Sequence, residues 1–152
     1  MKIALASDHA GYDLKTAVIG LLEGRGIPYE DFGSGPGESV DYVDKAEAAV
    51  RSVLAGAADR AILICGTGIG MAMVANKFRG IRATVCWNAF TADMARRHND
   101  SNCLTLGGRV LSAEEGRAIV GVWLETVFEG GRHRRRLDKL AALEERLCGR
   151  RL

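Results

Sequence analysis

The chain has no C-x-x-C pair, no clustered histidines, no substantial net charge and no apolar run long enough to span a bilayer. Each absence removes a class of function. Cysteines at 65, 86, 103 and 148 lack paired spacing, and the three histidines lie far apart in sequence, so a zinc cluster is disfavoured. Free thiols in a reducing cytoplasm fit better. A formal charge of +2 gives no general attraction to nucleic acid or membrane. Met1-Lys2 runs straight into Ile3-Ala4-Leu5-Ala6, too short for a signal segment and better read as a first strand. Repeats, low-complexity tracts and interdomain linkers are also missing. The 152 residues therefore read as one domain, long enough to bury a core.

What the chain does have is alternation. Strand one, Lys2 to Ser7, precedes a helix with Leu14, Val18, Leu21 and Leu22 on one face. Ile27 to Phe32 forms strand two, and a glycine-rich loop, Gly33 to Ser39, follows as a candidate lid. Tyr42, Ala46, Ala49, Val50 and Val53 mark the inner face of helix two. Ala61 to Cys65 is strand three, Ile81 to Cys86 strand four and Asn102 to Leu106 strand five. Phe90 to Arg97 is a helix reaching His98-Asn99-Asp100, and Ser112 with Glu115 predicts a capping box before Ile119, Val122 and Trp123. This is the pattern of an α/β protein, a three-layer Rossmann-like fold whose five parallel strands are expected in the flavodoxin-like order 2-1-3-4-5. Residues 1-128 make that core. Residues 129-152 add a basic segment, Arg132 to Arg136, and an additional C-terminal helix with Leu137, Leu140, Leu143 and Leu147 on one face.

The most informative stretch is Cys65-Gly66-Thr67-Gly68-Ile69-Gly70, where a buried-type strand ends at a cysteine and enters alternating glycines before a helix. Glycines there let backbone N–H groups converge on an anion, and the helix N-terminus would favour the thiolate of Cys65. Cys65 could equally be a small apolar filler. The third glycine falls one position early for a dinucleotide fingerprint, and no acid ends the following strand. A Walker loop is excluded because no Gly-Lys-Ser/Thr follows. The loop suits something smaller than a dinucleotide.

In the expected sheet, ligands bind where the strand order reverses, between strands one and three. Asp8-His9 and the Cys65 loop then meet in space. Singly, Asp8 reads as a helix cap, Thr67 as another and Arg132 to Arg136 as a solvated or RNA-binding segment. Together they supply a base, an oxyanion cradle, a histidine and guanidinium groups suited to phosphate.

The motifs Asp8-His9-Ala10-Gly11-Tyr12, Cys65-Gly66-Thr67-Gly68-Ile69-Gly70, Ala75-Asn76-Lys77, His98-Asn99-Asp100 and Glu129-Gly130-Gly131-Arg132-His133 occur in this order along the chain. In them the sequence resembles the type B ribose-5-phosphate isomerases, a family that also contains galactose-6-phosphate isomerase subunits. The resemblance implies metal-free and cofactor-free interconversion of ribose 5-phosphate and ribulose 5-phosphate through an enediolate. It assigns the proton shuttle to Cys65, oxyanion stabilisation to Thr67 and help in opening the furanose ring to His98. The substrate-binding residues it implies are Asp8, His9, Tyr42, Gly66, Gly68, Ile69, Gly70, Asn99, Arg109, Arg132 and Arg136, with the C-terminal arginines on the phosphate. Some relatives place a glutamate base in the helix after the loop; Met71, Ala72 and Met73 place this chain with the cysteine-dependent branch. The resemblance further implies a homodimer or homotetramer whose active sites lie at subunit interfaces, with His98 and Asn99 supplied by the neighbour. The competing readings are an isomerase of a hexose 6-phosphate, allose or galactose, or of a free aldose, and a mononucleotide- or RNA-binding module.

Overall fold

Pairing of short apolar segments explains the architecture. The computed structural model describes residues 1–148. The strands are β1 (Ile3–Ser7), β2 (Tyr29–Asp31), β3 (Arg60–Cys65), β4 (Ala83–Val85) and β5 (Cys103–Gly107), and all of them are parallel. The helices are α1 (Tyr12–Gly24), α2 (Tyr42–Leu54), α3 (Ile69–Ala75), α4 (Ala89–Asn99), α5 (Ala113–Glu125) and α6 (Arg132–Cys148). Residues 149-152 of the expected 129-152 unit lie outside the described residues.

Side-chain alternation along the strands builds two different cores. On one face Ile3, Leu5, Ile62, Ile64, Leu104 and Leu106 pack with Leu14, Val18 and Leu22 of α1, Ala92 and Ala95 of α4, and Ile119 and Trp123 of α5. On the other, the smaller Ala4, Ala6, Ala61, Leu63 and Cys65 meet Ala46, Ala49 and Val50 of α2 and Met71 and Ala75 of α3. Small residues bring α2 and α3 close to the sheet on the face that carries Cys65. The predicted Ser112–Glu115 capping box is present and starts α5. No helix among the described residues is long and apolar enough to cross a membrane.

The α/β class and five-stranded parallel sheet are as expected, but the strand order is 2-1-3-5-4, not 2-1-3-4-5. Burial accounts for the difference. Every residue of β5 is buried, whereas β4 is only three residues long and half-buried throughout. The fully buried strand therefore takes the position between β3 and β4, and the short one takes the edge. The reversal between β1 and β3 is unaffected. The loop after β5, rather than the one after β4, now adjoins Cys65.

Candidate active site

Three loops meet at the C-terminal ends of β1, β3 and β5. Glycines allow the approach: a Cβ on Gly108 would lie 2.5 Å from the Ala10 carbonyl oxygen, and one on Gly107 2.9 Å from the Thr67 backbone. Gly68, at φ 81°, makes the left-handed turn into α3 with its Cα beside the Leu106 backbone. The turn carries the Gly68 amide to Cys65, where it donates to Sγ at 3.1 Å. Cys65 is 5% exposed, at the rim of its core. Burial pushes the thiols of the other two described cysteines up from their ordinary range, alone at Cys103 and against hydrogen bonds with Thr84 and Thr91 at Cys86. Cys65 differs from them in receiving a backbone N–H, the contact that a thiolate accepts. Because α3 has only two turns, that nearby amide matters more than the helix dipole.

The other residues of this end fall around the sulfur. Asp8 is buried, and its Oδ1 accepts the Ala10 and Gly11 amides at 2.9 and 3.0 Å, capping the turn that presents exposed His9. Thr67 in the loop and Ile69 at the start of α3 are exposed. Arg109 is fixed by its amide to the Gly66 carbonyl at 3.0 Å, and its side chain covers Gly66. Helical spacing puts Tyr42 on the inner face of α2, but it lies at the first turn with its ring against Gly70. It flanks the cradle rather than the core. The lid loop is fastened at its base, where Gly33 and Ser34 exchange backbone hydrogen bonds with Ser7 and buried Lys15 binds Asp31 and the Ser34 carbonyl.

His98 and Asn99 are elsewhere. α4 runs antiparallel to the strands, so its last residues arrive at the sheet's other end. Arg82, just before β4, donates to the Asn99 and Asp100 carbonyls, each at 3.0 Å from Nε, and its guanidinium also reaches the Asp100 carboxylate. Arg96 binds the same carboxylate at 2.9 Å. The five residue steps of β3 from Arg60 to Cys65, at about 3.3 Å each, put this end roughly 16 Å from Cys65 along the strand. The start of α6 joins His98 there. The ring of His133 stacks on that of His98, with centroids 4.1 Å apart and planes within 5°, and Glu129 faces both. Arg132 and Arg136 are exposed beside them.

Sequence reasoning assigned no role to Glu129, His133, Arg82, Arg96 or Gly108. The spacing of Glu129 and His133, four residues apart, was the available signal, obscured by the surrounding arginines. Ligand atoms of His98, Glu129 and His133 lie within 4.8 Å of one another. Stacked rings, however, hold their lone pairs in two parallel planes that do not meet at one point, and the Arg132 Nε donates to His133 Nε2 at 3.3 Å. A metal needs donors that converge at about 2 Å, so the trio as arranged lacks that geometry.

Comparison with known proteins matches residues 3–140 to a family described as Ribose/Galactose Isomerase. Ribose-5-phosphate isomerase B of Escherichia coli is 43% identical over 95% of this chain and 97% of its own length. The structure of Clostridium thermocellum ribose-5-phosphate isomerase B matches with a TM-score of 0.94 at 46% identity, covering 97% of this chain and 99% of the other. The Mycoplasma genitalium ribose-5-phosphate isomerase B with bound ribulose-5-phosphate matches at 0.90 and 38% identity, over 95% and 96% of the two chains.

Proposed function

The chain belongs to the ribose/galactose isomerase family, and on that premise we propose that it interconverts ribose 5-phosphate and ribulose 5-phosphate with Cys65 as the base. The observation that carries the cysteine assignment is the Gly68 amide donating to Cys65 Sγ inside a cradle of loop backbones. A C–H beside a carbonyl is a weak acid, so its removal needs a positioned base and donors aimed at the developing oxyanion. In this reading the Cys65 thiolate takes the proton from C2 and returns it to C1. Thr67 and the amides of Gly66 to Gly70 bind the enediolate oxygens. Asp8, His9 and Tyr42 hold the sugar. Arg109 lies across the cradle and adds positive charge.

His98 then opens the furanose, Asn99 binds the sugar and Arg132 and Arg136 take the phosphate, but only from a second subunit. Their placement at opposite ends of the sheet argues for this division: a cradle from one copy faces the His98 end of another. The apolar faces at both ends support it, since Ile69, Met73 and Phe90 are exposed, as are Leu140, Leu143 and Leu147 of α6. We therefore assign a homo-oligomer with sites between subunits, in which the 1-128 core supplies the cradle and the 129-152 segment the phosphate arginines. Cys65, Cys86 and Cys103 are free, as suits a cytoplasmic enzyme.

A coupled assay on ribose 5-phosphate with chelator present tests the activity. Cys65→Ala tests the base: kcat is expected to fall on the order of 1,000-fold with KM changed far less, because the cradle remains. Turnover near that of the wild type would remove Cys65 from the mechanism.

A further inference from the structure

His133 is 3% exposed, although it sits in a run of basic residues. Its Nε2 accepts the Arg132 Nε at 3.3 Å, so the lone pair that a proton would take there is already engaged. Glu129 Oε2 lies 3.9 Å from His98 Nε2 and 3.7 Å from His133 Nε2, facing both rings. That carboxylate is tethered to α4: Arg97 holds Oε1 at 3.2 Å, and the Glu129 amide donates to the Arg97 carbonyl at 3.1 Å. The charged groups around the pair are Arg97 with its partner Asp93 from α4, Glu129 from the segment before α6, and Arg132 and Arg136 from α6 itself.

Two imidazoles in face contact resist carrying charge together. Burial, His98 and the two arginines hold His133 below the ordinary histidine value, with Glu129 opposing them. The His98 side chain is 34% exposed, so it is the ring that substrate and water can reach. We propose that His133 and Glu129 are positioning residues for His98: the buried ring gives His98 a fixed face to lie on, and the tethered carboxylate, facing both Nε2 atoms, favours a proton on the pair. This rests on the reading in which His98 opens the sugar. Opening moves one proton: the C1 hydroxyl gives it up, the bond between C1 and the ring oxygen breaks as the carbonyl forms, and the ring oxygen receives it. A histidine held in one orientation can carry that proton between the two oxygens.

The test uses ribose 5-phosphate carrying deuterium at C2, with kcat/KM, its isotope effect and its pH profile measured on the whole enzyme. His133→Ala is expected to lower kcat/KM roughly tenfold and to bring the isotope effect toward one, as ring opening becomes slower than C–H cleavage. His133→Phe, which keeps a neutral face, restores much of both. Glu129→Gln, losing the anion that faces the pair, moves the acidic limb of the profile to lower pH. A slow His133→Ala enzyme with the wild-type isotope effect and profile would show a structural role only, and the proposal would fall. If that variant does not fold, Glu129→Gln decides: a profile superimposed on that of the wild type overturns the assignment. Failure of the isomerase reading is distinct, since wild-type enzyme would then not turn over ribose 5-phosphate at all.

Discussion

The two ends of the sheet are built by opposite means. Around Cys65 the polar groups are mostly backbone amides, brought together by glycine contacts between the β1, β3 and β5 loops. Around His98 they are long charged side chains on α4 and α6, held by Arg82, Arg96, Arg97 and their carboxylate partners. Each construction suits a different task. Amides fixed by strand register need no reorganisation when charge appears, which favours an oxyanion. Guanidinium groups on flexible stems can close on a phosphate, and in the proposed reaction that binding energy would hold the sugar for the chemistry at the cradle. In the proposed reaction neither end is sufficient.

The sharpest way to break that comparison is to separate the ends genetically. Cys65→Ala and His98→Ala homo-oligomers are each expected to be nearly inactive. Mixed after dissociation, their subunits form hybrids in which one site carries both intact halves and the other carries both defects. A dimeric arrangement predicts recovery of about one quarter of wild-type activity from an equal mixture. No recovery, with hybrids verified by mass, would place both residues in one subunit's site and contradict the division between the two ends of the sheet.

The same contrast explains what was legible in the sequence. The cradle could be read because its chemistry is local: a strand, a cysteine and spaced glycines occupy ten consecutive residues, and Ser112 with Glu115 marks a helix start equally locally. The order of β4 and β5 could not. Their apolar patterns are similar, and only pairing shows that Ile81 to Cys86 yields three ladder residues while Cys103–Gly107 pairs on both sides. The His98 end was half legible. Its motif residues are visible, but the groups that hold them come from positions that look solvated: Arg96 reads as one of two consecutive arginines, yet it is buried against Trp123.

Asp100 sharpens the comparison from the His98 side, with a smaller effect. It takes a left-handed φ of 44° just after Asn99, and its carboxylate joins Arg82 to Arg96. Asp100→Ala leaves a buried guanidinium short of its partner and puts a methyl side chain at an unfavourable φ, for an expected loss of about 2 kcal/mol in chemical denaturation. Asp100→Asn keeps the turn and loses less. Activity should fall in both through His98 and Asn99 with the Cys65 half intact, so these variants should complement Cys65→Ala subunits, which bring an intact His98 half, and fail to complement His98→Ala subunits.

The smallest expected effect is a pH dependence of stability that originates at one end alone. Burial holds His133 below its ordinary value of 6.5, so between the two values the unfolded chain binds a proton that the folded chain does not. Stability then rises with pH across that window: it is complete above 6.5 and declines as acid protonates the unfolded state and finally the folded ring. Asp93 and Glu115, both held below their ordinary values of 3.8 and 4.5 by hydrogen bonds, first from Arg97 and from the Ser112 amide, contribute only at lower pH. Melting temperatures taken between about pH 7.5 and 5 should therefore fall more steeply for wild type than for His133→Phe, by a few degrees over the range. Parallel curves would mean that His133 is protonated equally in both states, and the stacked pair would then carry no charge preference of its own.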